Sequence, residues 1–235
     1  MTEQVYTRDI IKAVVTSMKS SGSITSVSES DGTWTIITSD TGNLKDNFKV
    51  LIGSNYYRVT NVNTTFKTSF DVVTSDTITD EMTWGMYIDF IFESPINAVG
   101  EIYMKGKNQK RNEKFDLIWL FNVIPEGEPL ENELIDKEAD ITMSIVTDVS
   151  SKLTSDERFT QIFKTRLYPL YDLFIKKLKE SDSININANE SLVINKTDWM
   201  NYGIKNNKNV FNEPTSAIEF TTTIKVKKQF SLNIC

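Results

Sequence analysis

Histidine is absent from the 235 residues, and the single cysteine is the last of them, Cys235. Without imidazole there is no Ser-His-Asp or Cys-His nucleophilic site, no histidine metal ligand and no ordinary general base near neutral pH. With one thiol there is no internal disulfide framework and no zinc site built on several cysteines. Glycine is also scarce, 9 in all, and none falls into G-x-G-x-x-G or G-x-x-x-x-G-K-S/T, so the phosphate-cradling loops of nucleotide enzymes are missing. No apolar run approaches the roughly 18–20 residues of a membrane-spanning helix. The start, MTEQVYTRDII, lacks the cationic and apolar regions of a secretory signal, which predicts synthesis in the cytoplasm and no membrane partner. Any chemistry would rest on carboxylates, Lys or Tyr, and no cofactor is expected.

Acidic charge dominates what is present. Lys and Arg number 26 against 32 Asp and Glu, for a net charge of −6 and a sequence pI near 4.9. That balance disfavours a dedicated nucleic-acid binder, which needs clustered positive charge. The excess is local. Glu126, Glu128, Glu131, Glu133, Asp136, Glu138 and Asp140 lie in one stretch with a single cation, Lys137, and this stretch alone accounts for the whole net charge.

Along the chain, Ile10, Ile11, Val14, Val15 and Met18 recur at helical spacing behind Thr7 as a candidate N-cap, predicting a short amphipathic helix. From Ser23 to about Thr83 the composition turns to Ser, Thr, Asn, Val and aromatics. Short runs, TWTIIT, FKVLIG, YYRVTNV and FKTSFDVV, are separated by turn signals that include Asp31-Gly32 and Gly53-Ser54-Asn55. These predict a small antiparallel β module, either a compact barrel or a curved sheet. FDLIWLFNVI at 115–124 has the near-continuous apolar character of a strand buried on both faces, and ADITMSIVTDV at 139–149 alternates in part. Between them, 125–137 reads as an exposed acidic excursion.

The most strongly periodic segment runs from Ser155 to about Glu180. Thr154 and Glu157 stand in capping-box spacing, and Phe159, Ile162, Phe163, Leu167, Leu170, Tyr171, Phe174 and Leu178 follow at steps of three and four. Pro169 lies inside this run, and its ring should kink it by removing one N–H and colliding with the carbonyl of Thr165. A last strand, AIEFTTTIKVKK, places Ile218, Phe220, Thr222, Ile224 and Val226 on one face.

The residues therefore predict an α+β protein: an N-terminal helix, 1–22, belonging to the C-terminal α+β domain; a small antiparallel β module inserted at 23–86; and an α+β domain, 87–235, whose mixed or antiparallel sheet is covered by the long helix 155–180.

Candidate sites are few. DSININANE (Asp182–Glu190) has the look of a calcium loop, but Ile184 stands where a ligand is needed and no central Gly makes the turn, so it reads as a solvated loop and no metal site is assigned. The acceptor triplets at Asn63, Asn189 and Asn195 carry no weight without a secretory route. Glu126 with Glu128, or Glu131 with Glu133, has the composition of a glycosidase pair, but a polar excursion does not desolvate a catalytic acid, and no catalytic residue is assigned. Lys105, Lys107, Lys110 and Arg111 form a cationic loop. In a ring of identical copies it could meet the acidic residues Glu126, Glu128, Glu131 and Glu133 of a neighbour, so these eight are the candidate partner-binding residues. Trp34, Tyr56, Tyr57, Trp84 and Trp199, in turns and short strands, exceed what a small β module is expected to bury, and some are expected to meet other subunits.

One resemblance links these pieces. Asp31-Gly32-Thr33-Trp34-Thr35-Ile36-Ile37-Thr38, the buried Phe115-Asp116-Leu117-Ile118-Trp119-Leu120, Arg166-Leu167-Tyr168-Pro169-Leu170, and Asn212-Glu213-Pro214 through Lys227 occur in an order similar to that of a virion-protein family of tailed phages of gut bacteria, including crAss-like phages. The resemblance implies a structural ring subunit of the head-to-tail connector or upper tail, with a helix packed on a sheet as in tail-completion and tail-terminator folds. It further implies about twelve or six copies, portal, connector and tail proteins as neighbours, DNA passing through the lumen without sequence-specific contact, and residence in the virion. Two rival readings are a tail-associated module that recognises a receptor or glycan through exposed aromatics, and a carboxylate hydrolase.

Overall fold

The computed structural model describes residues 7–93, 116–121, 137–150, 152–186, 194–198 and 215–226. Helix α1, Thr7–Met18, buries Ile10, Ile11, Val14, Val15 and Met18, the face set by the apolar spacing. Thr7 is inside its first turn and buried, not ahead of the helix as a cap.

Six strands follow: β1 (Ser21–Ser30), β2 (Thr33–Thr38), β3 (Lys49–Ile52), β4 (Asn55–Val62), β5 (Ser69–Val73) and β6 (Thr83–Met86). They close into a barrel in the order β1-β2-β5-β4-β3-β6. The β1–β2 hairpin turns on Asp31 (φ 51°) and Gly32 (φ 75°), the paired left-handed residues of a type I′ turn, whose twist matches that of the strands. Closure depends on a short ladder between β1 and β6, Ser21↔Gly85, Gly22↔Trp84 and Ser23↔Thr83. There the indole Nε1 of Trp84 donates to Thr38 Oγ1 at 3.0 Å, and Thr38 Oγ1 donates to the Ser23 carbonyl at 3.1 Å. Trp84 is 2% exposed and meets Phe70 edge-on, so this indole belongs to the barrel core and is not available to a neighbour.

A second sheet contains β7 (Asp89–Glu93), β8 (Leu117–Phe121), β9 (Lys137–Asp148), β10 (Ile184–Ile186), β11 (Ile194–Asp198) and β12 (Thr215–Val226). Its order is β10-β12-β9-β8-β7, with β11 also paired to β12. The pairing is mixed: β7 and β8 run parallel, and the other pairs are antiparallel. β9 and β12 pair along their full lengths, from Thr215↔Asp148 to Val226↔Lys137. All five residues of β8 are buried, as its apolar run requires, and along β12 Ile218, Phe220, Thr222, Ile224 and Val226 are buried on the expected face.

The long helix has three parts. α2, Ser155–Arg158, opens with the capping box: Thr154 N–H donates to Glu157 Oε2 at 2.8 Å, and Glu157 N–H donates to Thr154 Oγ1 at 3.3 Å. Phe159–Leu167 is a π-helix, and α3, Tyr168–Lys179, resumes the α form with Pro169 in its first turn. The disturbance expected at Pro169 thus takes the form of a change of register ahead of it. Tyr168 N–H reaches back five residues to the Phe163 carbonyl, and the hydroxyls of Thr160 and Thr165 bond to the carbonyls of Asp156 and Gln161. This ribbon lies on β9 and β12, while α1 packs against α3. One apolar core joins α1, the barrel interior, this ribbon and the sheet face beneath it. The architecture is α+β.

Candidate functional site

The expected contact residues Lys105, Lys107, Lys110, Arg111, Glu126, Glu128, Glu131 and Glu133 lie outside the described residues, as does Trp199. Three other features stand out among the described ones.

The first is a charged junction where the barrel meets the sheet. Lys49 on β3 and Arg58 on β4 are cross-strand partners, which would set two cations side by side. Carboxylates from the sheet resolve that conflict. Arg58 grips Asp116, just ahead of β8, in bidentate fashion, Nη1 to Oδ2 at 2.6 Å and Nη2 to Oδ1 at 3.1 Å. Its Nη2 also reaches Asp148 Oδ1 at the end of β9 at 3.0 Å. Thr147 Oγ1 donates to Asp116 Oδ1 at 2.6 Å, and Arg166 of the π-helix comes within 3.9 Å of Asp148. Barrel and sheet thus meet in one hydrogen-bonded knot, with the helical ribbon joined to its edge by an ion pair.

Its electrostatics follow from burial set against pairing. Burial pushes the Asp116 carboxyl up, but the Arg58 guanidinium, the Lys49 ammonium and the bonds from Arg58 and Thr147 outweigh it and hold the group at about 2. Burial pulls Lys49 down to about 8, with Arg58 and Arg166 adding to that pull and Asp116 and Asp148 opposing it. Burial likewise disfavours charge on Arg58, yet Asp116 and Asp148 raise it overall. A carboxylate locked in this way does not exchange protons near neutrality. The arrangement suits a fixed joint between two bodies, with planar guanidinium recognition supplying the geometry.

The expectations from sequence do not reach this junction; the one signal the chain holds is Asp116 at the head of a continuously apolar strand, where a carboxylate needs a buried partner. Its partner is 58 positions earlier in the chain, and no local pattern points to it.

The second feature is the outer face of β1, β2 and β5. The registers Ser26↔Ile37, Ser28↔Thr35 and Ser30↔Thr33 on one side, and Thr33↔Val73, Thr35↔Asp71 and Ile37↔Ser69 on the other, put these nine side chains together, opposite the face that carries Ile36, Phe70 and Val72. One of the nine is charged, in a chain where 25% of residues are, and that one, Asp71, accepts a bond from Asn61 Nδ2 at 3.0 Å. Ile37 is 41% and Val73 63% exposed, and Phe66, in the connection from β4 to β5, is 75% exposed. The scarcity of charge and the exposed Ile37 and Val73 are features shared with protein interfaces, while the four serines are not.

The third is an aromatic patch on the helical ribbon. Lys196 Nζ of β11 lies 4.7 Å from the Phe159 ring centroid and 5.4 Å from that of Tyr168, and Lys164 Nζ covers the same Phe159 ring at 5.2 Å. These cation–π contacts hold β11 against the π-helix.

Of the other aromatics expected at the surface, Tyr57 donates its hydroxyl to Asp76 at 2.8 Å and Tyr56 packs edge-on against Tyr87. Among the described residues, no group of three or more carboxylates or thiols is placed to hold a metal ion, and no helix is long and apolar enough to cross a membrane. No protein-family model, curated protein or solved structure matches the chain.

Proposed function

We propose that this chain is a virion structural protein, a ring subunit of the head-to-tail connector or upper tail of a tailed phage, which extends the portal channel through which DNA passes. The observation that carries the reading is the charge-poor outer face of β1, β2 and β5, with Ile37 and Val73 exposed. Such a surface is suited to burial against a neighbouring protein. The junction supports the same reading. Subunits that transmit force between head and tail need their parts held at fixed angles, and a bidentate guanidinium–carboxylate pair flanked by Asp148 and Thr147 does this better than apolar contact, which is non-directional. For the receptor- or glycan-binding alternative, Trp84 is out of reach because the barrel encloses it, while Trp34, Tyr56 and Tyr57 remain half-buried.

The test is incorporation. Mass spectrometry of purified particles from an infected host should find the chain at a fixed ratio to the portal protein. An Ile37→Lys/Val73→Lys variant should keep its thermal midpoint and circular dichroism yet enter particles at least about tenfold less, since each charge opposes burial in an interface. Absence of the wild-type chain from particles overturns the reading. Normal incorporation of the variant removes this face as its basis.

A further inference from the structure

Away from the junction, a cleft of about 280 Å³ opens between the barrel and α3. Its walls come from the loop after β2, the β4–β5 connection and the outer side of α3. Lys45, Lys67 and Lys176 line it against one carboxylate, Asp172, a formal balance of +2 in a chain of −6. Lys176 reaches Glu180 at 3.7 Å, and Lys45 and Lys67 have no carboxylate at ion-pair distance among the described residues.

Thr41 lines the same cleft. It is 1% exposed, and its hydroxyl has no hydrogen-bond partner among the described residues. Enclosed hydroxyls are ordinarily satisfied, so an unpartnered one on the lining of a cleft that three lysines share marks a place where an acceptor belongs. The frame around it is fixed. Thr41 N–H donates to the Lys67 carbonyl at 2.7 Å, which ties the two lysine-bearing loops together. Gly42 N–H donates to Asp40 Oδ1 at 2.7 Å and Asn43 N–H to Ser20 Oγ at 2.8 Å. Lys67 has φ 53°, a left-handed conformation that glycine or asparagine adopts at lower cost. Leu44, Val62 and Leu173 supply the apolar part of the lining.

We infer that this cleft binds a phosphoryl group. The ammonium groups of Lys45, Lys67 and Lys176 neutralise the oxyanion, Thr41 Oγ1 donates to one of its oxygens, and Asp172 accepts from a hydroxyl on the same ligand. The volume, about nine waters' worth at ~30 Å³ each, exceeds that of a lone oxyanion and leaves room for an attached sugar. The inference is independent of the ring reading, since a phosphoryl group could arrive on a free nucleotide or on a DNA backbone.

The test is calorimetric titration of the full chain with three probes: inorganic phosphate, a deoxynucleoside monophosphate and a short DNA duplex, each at low and at moderate salt. Saturation by phosphate or the nucleotide at one site per chain identifies a small-molecule source. Duplex binding that inorganic phosphate displaces identifies a nucleic-acid source. In either case Lys45→Gln/Lys67→Gln should weaken binding by at least about tenfold, and Thr41→Val, which conserves shape, by about threefold or more with the thermal midpoint retained. Absence of binding in all three arms at about 10 mM phosphate or nucleotide overturns the inference. So does duplex binding that phosphate cannot displace, or affinity unchanged in the double variant or in Thr41→Val.

Discussion

At the scale of single residues, Asp116 carries the most consequence. It is the carboxylate that makes a half-buried Arg58 tolerable opposite Lys49, so Asp116→Asn leaves the guanidinium with Asp148 as its one carboxylate, beside the Asn47 carbonyl. The expected loss is about 3 kcal/mol, read as a lower urea midpoint, because a buried charge stripped of its partner costs more than the pair contributes. The pH dependence has a definite sign. The folded-state value near 2 lies below the ordinary 3.8, so the contribution is complete above about pH 4 and is lost as pH falls toward 2. Wild type should therefore show an acid limb in that window that Asp116→Asn reduces. The run 115–124 reads simply as apolar, and the partners of Asp116 lie 58 positions earlier at Arg58 on β4 and 31 positions onward at Thr147, so only the folded chain brings them together.

At the scale of elements, close approach decides what the barrel tolerates. A β-carbon on Gly22 would meet Thr38 Oγ1 at 3.0 Å and Trp84 Nε1 at 3.2 Å, the two atoms whose bond pins the closing strands. Gly22→Ala should cost about 1–2 kcal/mol and shift the tryptophan fluorescence, whereas Gly32→Ala, with open space around it but φ 75°, should cost about 1 kcal/mol and leave the fluorescence unchanged. Thermal melts of the two variants make the comparison. Elements with strong periodicity were legible: α1, the capped start of the long helix and the alternating face of β12 follow from apolar spacing. β1 was not, because in SGSITSVSES only Ile24 and Val27 turn inward and the serines mimic a linker. The π-helix escaped for another reason. Pro169 announces a disturbance, but whether the preceding turns break or widen depends on Phe159, Ile162 and Phe163 finding places against the sheet and β11, a tertiary matter.

At the scale of the whole molecule, the α+β class was legible from the order of patterns. Barrel closure was not, since it rests on a three-residue ladder between strands some sixty positions apart. The core is continuous from the barrel through α1 to the sheet, and the junction ties the same bodies on another side. Barrel and sheet are therefore expected to unfold together. Differential scanning calorimetry should give one peak with matching calorimetric and van't Hoff enthalpies, and two resolved peaks would show that the connection between them is weaker than this core implies. The knot at Arg58 also imposes a timetable on the ribosome. At roughly 5–20 residues per second, about 3–12 s pass between the appearance of the arginine and that of Asp116, with Asp148 later still. Barrel closure itself waits for β6, and for that interval Arg58 lacks the two carboxylates that hold it in the folded chain.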